Sequence, residues 1–284
     1  MNGFINFYKP SGESSAKAIS KIKKKFKGEK IGHMGTLDPM ASGVLPVALG
    51  KATRLFDFLL DKTKVYRAEF TFGYETDTLD AEGTIVNEGG RIPTFEEILT
   101  ASNSLVGVID QIPPAYSAKN VAGKRSYELA RQGKTVELPP KQVEIISITP
   151  TKTDKIDTFS FEIKCKGGTY IRAIARDIAK ILNTYATMTA LIRENSGGFD
   201  ISTSLKIDEV IKMEDVSSVL IKPDSVLTLE SINLTQKQEG DLINGRPCAV
   251  NKNDGFYKVY YNDCFYGVGA IEEGNLRLKA YLKD

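Results

Sequence analysis

The stretch "IGHMGTLDPMASGVLP", residues 31–46, places one carboxylate in a glycine-rich segment. Asp38 lies between Gly35 and Gly43, and Pro39 follows it directly. Because a proline biases the residue before it away from helical backbone, Asp38 is expected on extended or turn backbone. His33, five residues upstream, is the only histidine of the chain. The pattern predicts a stiff loop that presents a single aspartate.

Several kinds of chemistry are disfavoured by these residues. One histidine excludes a zinc site built on two or three histidines, and no G-x-S-x-G elbow accompanies it. Ordinary glycoside hydrolysis needs two paired carboxylates, whereas this loop offers one. The segment from Gly43 to Thr53 is not a P-loop, because its glycines are two residues too far apart and Ala52 replaces the hydroxyl. No metal site is predicted.

The composition is that of an ordinary globular protein, and the 284 residues suit one large domain or one large and one small domain. Three separated cysteines indicate neither a disulfide framework nor a zinc ribbon, which fits a reducing cytoplasm. An apolar signal core and a run of about 18 apolar residues are both missing from the sequence. We therefore expect a cytoplasmic protein with no membrane span.

Charge is distributed unevenly along the chain. Residues 1–70 carry 13 Lys/Arg against 6 Asp/Glu, although the net charge of the whole chain is only +2. Residues 14–28, "SSAKAISKIKKKFKG", predict a helix capped by Ser14 or Ser15, ended by Gly28 and rich in lysine. A basic front hints at a polyanionic partner. From charge alone, the simpler interpretation of a solvated lysine-rich helix is favoured.

Two further segments predict the elements around the loop. "KVYRAEFTFG", residues 64–73, alternates as a half-buried strand with Tyr66 on its apolar face. Residues 158–182 predict a strand, a Gly167-Gly168 break and a helix with Thr169 as a possible cap. Arg172 then lies in the first helical turn, where a cation opposes the helix dipole. Either it serves a partner outside its own helix or it simply reaches water.

Other elements are predicted by their patterns alone. A helix is expected over "TFEEILTASNSLVG" and a short helix around residues 124–132. After residue 224 the texture changes to short strands joined at Asn262-Asp263 and at "EEGN". We place a domain boundary there, with 1–224 as the catalytic domain and 225–284 as a small barrel-like module.

A single ionised aspartate can act as a nucleophile or as a general base. It needs a cation or hydrogen-bond donors to stay charged in a closed site, and Arg172 is a candidate. The rings of Tyr66, Tyr170 and His33 are suited to stacking a nucleobase. One acid, one arginine, stacking rings and a basic surface together indicate chemistry on an extruded nucleotide.

The chain resembles the bacterial tRNA pseudouridine synthase B (TruB) family over nearly its full length. The resemblance rests on five ordered motifs: "NFYKPSGESS" (6–15), "GHMGTLDPMASGVLPVALGKATR" (32–54), "KVYRAEFTFGYETDTLDAEG" (64–83), "PPAYSAKNVAGKRSYELARQG" (113–133) and "GTYIRAIARDIA" (168–179). It implies an α+β protein with the pseudouridine synthase fold, which is a mixed, largely antiparallel sheet with flanking helices. It also implies a C-terminal PUA-type β-barrel that grips RNA.

The same resemblance implies roles for individual residues. Asp38 matches the catalytic aspartate, Tyr66 the tyrosine that stacks on the flipped base, and Arg172 the arginine that pairs with the aspartate. Residues that shape the site or bind the flipped loop are matched by His33, Tyr170 and Leu191, and Lys9-Pro10 matches a motif that supports the cleft. The mild departures are Ser14-Ser15, Met34 and Met40.

The implied reaction is isomerisation of uridine to pseudouridine at position 55 in the T-loop of tRNA. It needs no redox change, no cofactor and no metal, and the expected partner is the tRNA T-arm, bound by a monomer without an obligatory protein partner. Whether the aspartate adds covalently or abstracts a sugar proton stays open. Two rival hypotheses are a non-catalytic RNA-binding protein that keeps the fold and a guide-dependent synthase that acts on another RNA.

Overall fold

The computed structural model describes residues 1–59, 62–117, 120–121, 124–125 and 138–283. The helices are α1 (Ser15–Lys25), α2 (Phe95–Ser104), α3 (Ile171–Ile181), α4 (Ile207–Lys212) and α5 (Gln236–Ile243). Short 3₁₀ segments cover Gly50–Phe58, Ile201–Thr203 and Ser217–Val219. In the described residues, no helix is both long and apolar enough to cross a membrane.

The strands up to residue 206 are β1 (Gly3–Lys9), β2 (Ile31–His33), β3 (Ser42–Leu49), β4 (Lys64–Phe72), β5 (Tyr74–Thr76), β6 (Ile85–Glu88), β7 (Gly107–Gln111), β8 (Asn120–Val121), β9 (Lys124–Arg125), β10 (Lys141–Lys152), β11 (Thr158–Cys165), β12 (Ala186–Ser196), β13 (Phe199–Asp200) and β14 (Leu205–Lys206). The C-terminal strands are β15 (Ser231–Asn233), β16 (Cys248–Ala249), β17 (Gly255–Tyr261), β18 (Cys264–Glu272) and β19 (Asn275–Tyr281).

The large sheet has the strand order β14-β1-β3-β12-β4-β11-β10-β7. Two of its neighbouring pairs, β1 with β14 and β3 with β12, are parallel, and the other pairs along this path are antiparallel. The mixed, largely antiparallel sheet implied by the resemblance is therefore confirmed. β4 lies near the centre of the sheet and carries Tyr66.

The central core forms because three apolar patterns meet. Alternation in β4 buries Tyr66, Ala68, Phe70 and Phe72 on one face. That face packs against β11 and against the apolar stripe of α3 in one hydrophobic cluster. Ile181, the last residue of α3, is half exposed and lies outside this cluster.

The predicted N-terminal helix is confirmed. Ser14 caps α1 by accepting a hydrogen bond from the backbone N–H of Lys17, and Gly28 beyond its end has a φ of +92°. Part of its lysine face is occupied by contacts within the protein: Lys21 pairs with Glu13 at 2.8 Å, and Lys25 donates to the carbonyl of Met213. The solvated face is therefore smaller than the sequence indicates.

The helix over "TFEEILTASNSLVG" is confirmed as α2, with a capping box between Thr94 and Glu97. The short helix predicted around residues 124–132 is wrong over its first two residues. Lys124–Arg125 form strand β9 rather than a helix, and residues 126–132 of that predicted helix lie outside the described residues.

The C-terminal strands form a separate sheet in the order β15-β17-β18-β19-β16, with its own hydrophobic cluster. Both predicted turns are present. Asn262, Asp263 and Glu273 have positive φ values of 46°, 57° and 52°, which match the primed turns of tight hairpins. Such a small strand module is the architecture expected of a PUA-type domain.

The boundary near residue 224 stays a prediction. A shared hydrophobic cluster joins Phe4 and Phe199 to Val268, Ala280 and Leu282 across it. The C-terminal module thus packs against the N-terminal part of the chain, mainly through the 3₁₀ segment Gly50–Phe58 and also through Phe4.

Candidate active site

The Asp38 loop is fixed from the N-terminal side of the chain. The hydroxyl of Ser15, at the start of α1, both donates to the carbonyl of Leu37 and accepts from its backbone N–H, each at 2.9 Å. The ammonium of Lys9, fully buried at the end of β1, donates to the carbonyl of Pro39 at 3.3 Å. The residues on both sides of Asp38 are therefore bound to other elements.

The Lys9 ammonium also donates to the carbonyls of Pro10 at 2.8 Å and Glu13 at 2.5 Å. Burial lowers the pKa of Lys9, and the carboxylates of Glu13 and Asp38 oppose that shift. A buried charge with three carbonyl acceptors folds the Lys9-Pro10 segment against the loop. The structure thus gives this motif a physical role in supporting the cleft.

On the other side, the loop leads into β3 at Gly43. This glycine has a φ of +108°, and a Cβ added to it would lie 2.3 Å from the carbonyl oxygen of Arg193 on the parallel strand β12. No other residue type allows this backbone and this close approach. Gly43 therefore sets the direction in which the loop leaves the sheet.

Asp38 and Arg172, separated by 134 residues in sequence, meet in the structure. Nε of Arg172 lies 3.0 Å from Oδ2 of Asp38, and Nη2 donates to Oδ1 at 3.2 Å. The arginine side chain is 6% exposed and the aspartate side chain 35% exposed. Such a two-point contact fixes the plane of the carboxylate, while one side of it stays open.

The first turn of α3 differs from the prediction in one detail. The N-cap is Tyr170, whose side chain makes no capping hydrogen bond, and Thr169 instead donates to the carbonyl of Lys166. The cap predicted at Thr169 is therefore wrong. The sequence left open whether Arg172 binds a partner outside its own helix or reaches water. Its side chain is buried, so the first alternative is correct.

Arg172 also contacts a second carboxylate, that of Asp80, which the sequence did not predict. Nη1 of Arg172 lies 3.2 Å from Oδ2 of Asp80, which is buried, and donates to the carbonyl of Thr78 at 2.8 Å. Nη2 also donates to the carbonyl of Tyr116 at 3.1 Å. These contacts, in addition to those with Asp38, hold the guanidinium in a single orientation. The acidic motif "YETDTLDAEG" was the available signal, but nothing in it shows which carboxylate faces inward.

Tyr66 and Leu191 lie in one hydrophobic cluster with Leu37 of the Asp38 loop. Tyr66 on β4 is paired with Arg193 on β12, and Leu191 is paired with Ala68, so all four lie on neighbouring positions of the two strands. Burial raises the pKa of the Tyr66 hydroxyl, and the nearby Arg193 guanidinium opposes that shift. Leu37 and Ala41, on either side of Asp38, belong to the same hydrophobic cluster as Tyr66, so the loop packs near the ring.

Tyr170 is placed by its backbone. The side chain of Gln111, buried on β7, accepts from the N–H of Tyr170 at 2.8 Å and donates to its carbonyl at 3.2 Å. This clamp fixes the residue two positions before Arg172, and the ring is half buried. The ring is thus held at the start of α3, beside the site.

His33 ends β2, before the loop, and lines a cavity of about 260 Å³ with Met34, Gly35 and Lys64. Burial lowers its pKa, so the neutral ring is favoured at pH 7, and its Nδ1 has no hydrogen-bond partner among the described residues. The ring borders the cavity as a flat surface, and no contact places it against Asp38.

The arrangement can act on one group seated between the open edge of Asp38 and the Tyr66 ring. The carboxylate can attack carbon or accept a proton, and the phenol can exchange a proton across the same space. Arg172 holds the carboxylate in one orientation through its two-point contact.

Comparison with known proteins gives consistent results. Residues 23–171 match the model of the TruB family pseudouridylate synthase N-terminal domain. The chain is 38% identical to the tRNA pseudouridine synthase B of Caldanaerobacter subterraneus subsp. tengcongensis, with 98% of each chain covered. It is 39% identical to the enzyme of the same name from Clostridium perfringens strain 13, with 99% of each chain covered.

Solved structures agree on the fold. A Cbf5-Nop10-Gar1 complex contains a chain that is 24% identical, with a TM-score of 0.70, and the match covers 94% of this chain and 78% of that one. A chain of an H/ACA RNP bound to a substrate RNA that contains 2′-deoxyuridine also gives a TM-score of 0.70. The family match spans the loop and Tyr66 and ends at Ile171, the first residue of α3, and the two relatives cover 98% and 99% of the chain. This protein belongs to the TruB family of pseudouridylate synthases.

Proposed function

We propose that this protein isomerises uridine to pseudouridine in tRNA at position 55 of the T-loop, with Asp38 as the catalytic residue. The observation that carries this proposal is the two-point ion pair between Asp38 and Arg172. It presents one carboxylate, 35% exposed, on a loop that packs near the Tyr66 ring. The near full-length relatives named tRNA pseudouridine synthase B support tRNA as the substrate.

In this reaction the target uridine leaves its stack and places its base against Tyr66. Asp38 then addresses the ribose or the pyrimidine ring, the glycosidic bond breaks, and the uracil rotates and rejoins through C5. His33, Tyr170 and Leu191 shape the space around the base and the extruded loop. The C5 hydrogen leaves as a proton, and no redox step is involved. In this proposal the protein acts in the cytoplasm as a monomer, and residues 225–284 bind the tRNA.

Pseudouridine mapping tests the proposal. An unmodified tRNA transcript is incubated with this protein alone, and pseudouridine is located at single-nucleotide resolution. We expect one modified site, at position 55, and none in a transcript with cytidine at that position. Modification elsewhere, or only when a guide RNA is added, would favour the guide-dependent alternative.

A second prediction concerns the Tyr66 hydroxyl. Tyr66→Phe keeps the ring that supports the base, so RNA binding should be unchanged within about twofold, a small shift in free energy. Product formation should slow if the hydroxyl removes the C5 proton, by roughly 10² or more, as for other proton-transfer groups. The measurement compares the dissociation constant with the single-turnover rate. A wild-type rate would reduce Tyr66 to a structural ring.

A third prediction concerns the exposed lysines of α1 and its end. Lys23, Lys24 and Lys27 are exposed, and Lys21 and Lys25 are left in place because they bind Glu13 and Met213. Changing Lys23, Lys24 and Lys27 to alanine should weaken the binding of different RNA sequences to the same extent and should flatten the salt dependence of binding. The single-turnover rate at saturation should hardly change. If binding is unaffected at every salt concentration, this face is only solvated.

A further inference from the structure

Two cations near the site have no counterion among the described residues. Lys64 is half buried at the start of β4, and Arg193 is fully buried on β12. Within the described part of the chain, neither forms an ion pair with a carboxylate. Burying a charge without a partner is costly, so the pair points to an anion that the protein alone does not supply.

The two groups are immediate neighbours at Gly35. A Cβ added to Gly35 would lie 3.0 Å from Nζ of Lys64 and 3.4 Å from Nη1 of Arg193. The other two guanidinium nitrogens of Arg193 are used, because Nε donates to the carbonyl of Val44 at 2.8 Å and Nη2 to the carbonyl of Gly35 at 3.0 Å. Nη1 is buried and has no hydrogen-bond partner among the described residues. The charged guanidinium of Arg193 is therefore held in place next to the Lys64 ammonium.

Lys64 faces open space. It lines the 260 Å³ cavity together with Lys62, His33, Met34, Phe56 and Leu59. The cavity thus presents two lysine ammonium groups, the kind of donor that contacts the phosphate oxygens of nucleic acids. Burial, reinforced by the neighbouring Arg193 guanidinium, lowers the pKa of Lys64 to about 8, as expected for a cation without a counterion.

The position of this cavity relative to Tyr66 also supports a phosphate-binding site. Lys64 and Tyr66 are two residues apart on β4, so their side chains lie on one face about 7 Å apart along the strand. A phosphate that borders a nucleotide seated on Tyr66 lies within this range. Gly35 leads directly to Asp38, so an anion on Lys64 would also contact the catalytic loop.

We propose that Lys64, with the fixed charge of Arg193 behind it, forms a subsite for a phosphodiester that borders the target nucleotide of the substrate RNA. The inference rests on the proposed function and adds to it a residue that anchors the backbone of the extruded segment. Phosphate contacts of this kind set the position of a nucleic acid without reading its sequence.

The first test uses T-arm hairpins, each with one methylphosphonate, which is an uncharged linkage, at a defined position near the target uridine. With wild-type protein, one such linkage should weaken binding about tenfold, as for loss of one charged contact. Lys64→Gln should bind the unmodified hairpin more weakly than wild type by a similar factor. Its affinity should not fall further for the hairpin with that methylphosphonate, because the lysine and the phosphate act as one unit. Lys64→Arg should keep the coupling.

Lys155→Gln is the matched control. This exposed lysine lies in the β10–β11 turn, at the opposite end of the sheet strands from Lys64, and it should behave as wild type at every linkage. If every methylphosphonate weakens Lys64→Gln as much as wild type, the proposed phosphodiester contact is wrong. Lys64→Gln should be at least as stable to urea as wild type, because it removes an uncompensated charge.

A second measurement does not depend on catalysis. Trace acetylation of the lysines, read by peptide mass spectrometry, reports whether Lys64 is protected by inorganic phosphate or by the hairpin. Protection by the hairpin supports the subsite even if no pseudouridine forms in any tRNA, in which case only the proposed function fails. Protection by phosphate and not by the hairpin, or by neither, overturns the proposal.

Discussion

Asp38→Asn should bind tRNA and yet catalyse the isomerisation at least about 10³-fold more slowly than wild type, the scale seen when an essential group is removed. The substitution keeps the shape of the side chain and removes its charge and basicity. The loop should keep its conformation, because Leu37 and Pro39 stay bound to Ser15 and Lys9 and the amide oxygen of the asparagine can still accept a hydrogen bond from Arg172. Binding should be equal or slightly tighter, since an anion that faces phosphates is lost.

Folding, binding and rate are separated by three measurements: urea denaturation, a dissociation constant for tRNA and a single-turnover rate at saturating enzyme. Asp57→Asn is the matched control, because Asp57 is exposed in the nearby 3₁₀ segment and outside the site. It should equal wild type in all three. A slow Asp38→Asn that also fails to bind tRNA would show a positional rather than a chemical role for the carboxylate.

Arg172→Met should have the largest effect on stability as well as a large effect on rate. Arg172 pairs with both Asp38 and Asp80, and the side chain of Asp80 is only 5% exposed. Removing one partner of a buried pair leaves an uncompensated charge, at a cost of about 3–5 kcal/mol. We expect the urea midpoint to fall accordingly, together with loss of detectable product formation.

The double variant Arg172→Met, Asp80→Asn separates the two effects. Removing the stranded carboxylate charge should recover part of the stability, whereas the rate should stay low because Asp38 still lacks its partner. Combining Arg172→Met with Asp38→Asn should be little slower than either single change, since the pair acts as a unit. Wild-type stability of Arg172→Met would contradict the buried network.

The elements around the site were predictable because their signals are local. Alternation in β4 placed Tyr66 on the apolar face, and Pro39 with its flanking glycines predicted the Asp38 loop. Helical spacing after Gly167-Gly168 placed Arg172 in a first turn, where a cation is unfavourable. That local conflict was the sequence signal for a long-range partner, and the structure shows that partner to be Asp38.

The remaining parts of the site were not predictable because they depend on long-range pairing. Asp80 is one of several acids in a turn-rich segment, and only the packing of that segment onto β12 directs it towards Arg172. Arg193 follows Leu191 in an ordinary strand pattern, and its burial results from the close approach of β3 at Gly43. The sequence places Lys21 on a solvated face, yet its ammonium pairs with Glu13, the residue just before the N-cap of α1.

The most direct test of the central claim is single-turnover release of tritium from a T-arm hairpin that carries [5-³H]uridine at position 55 alone. Wild-type protein should release the label completely, with formation of pseudouridine at that position. Asp38→Asn, used at a concentration that saturates the RNA, should release it at least about 10³-fold more slowly. If the asparagine variant releases tritium within about tenfold of wild type, Asp38 is not the catalytic residue and the account is wrong.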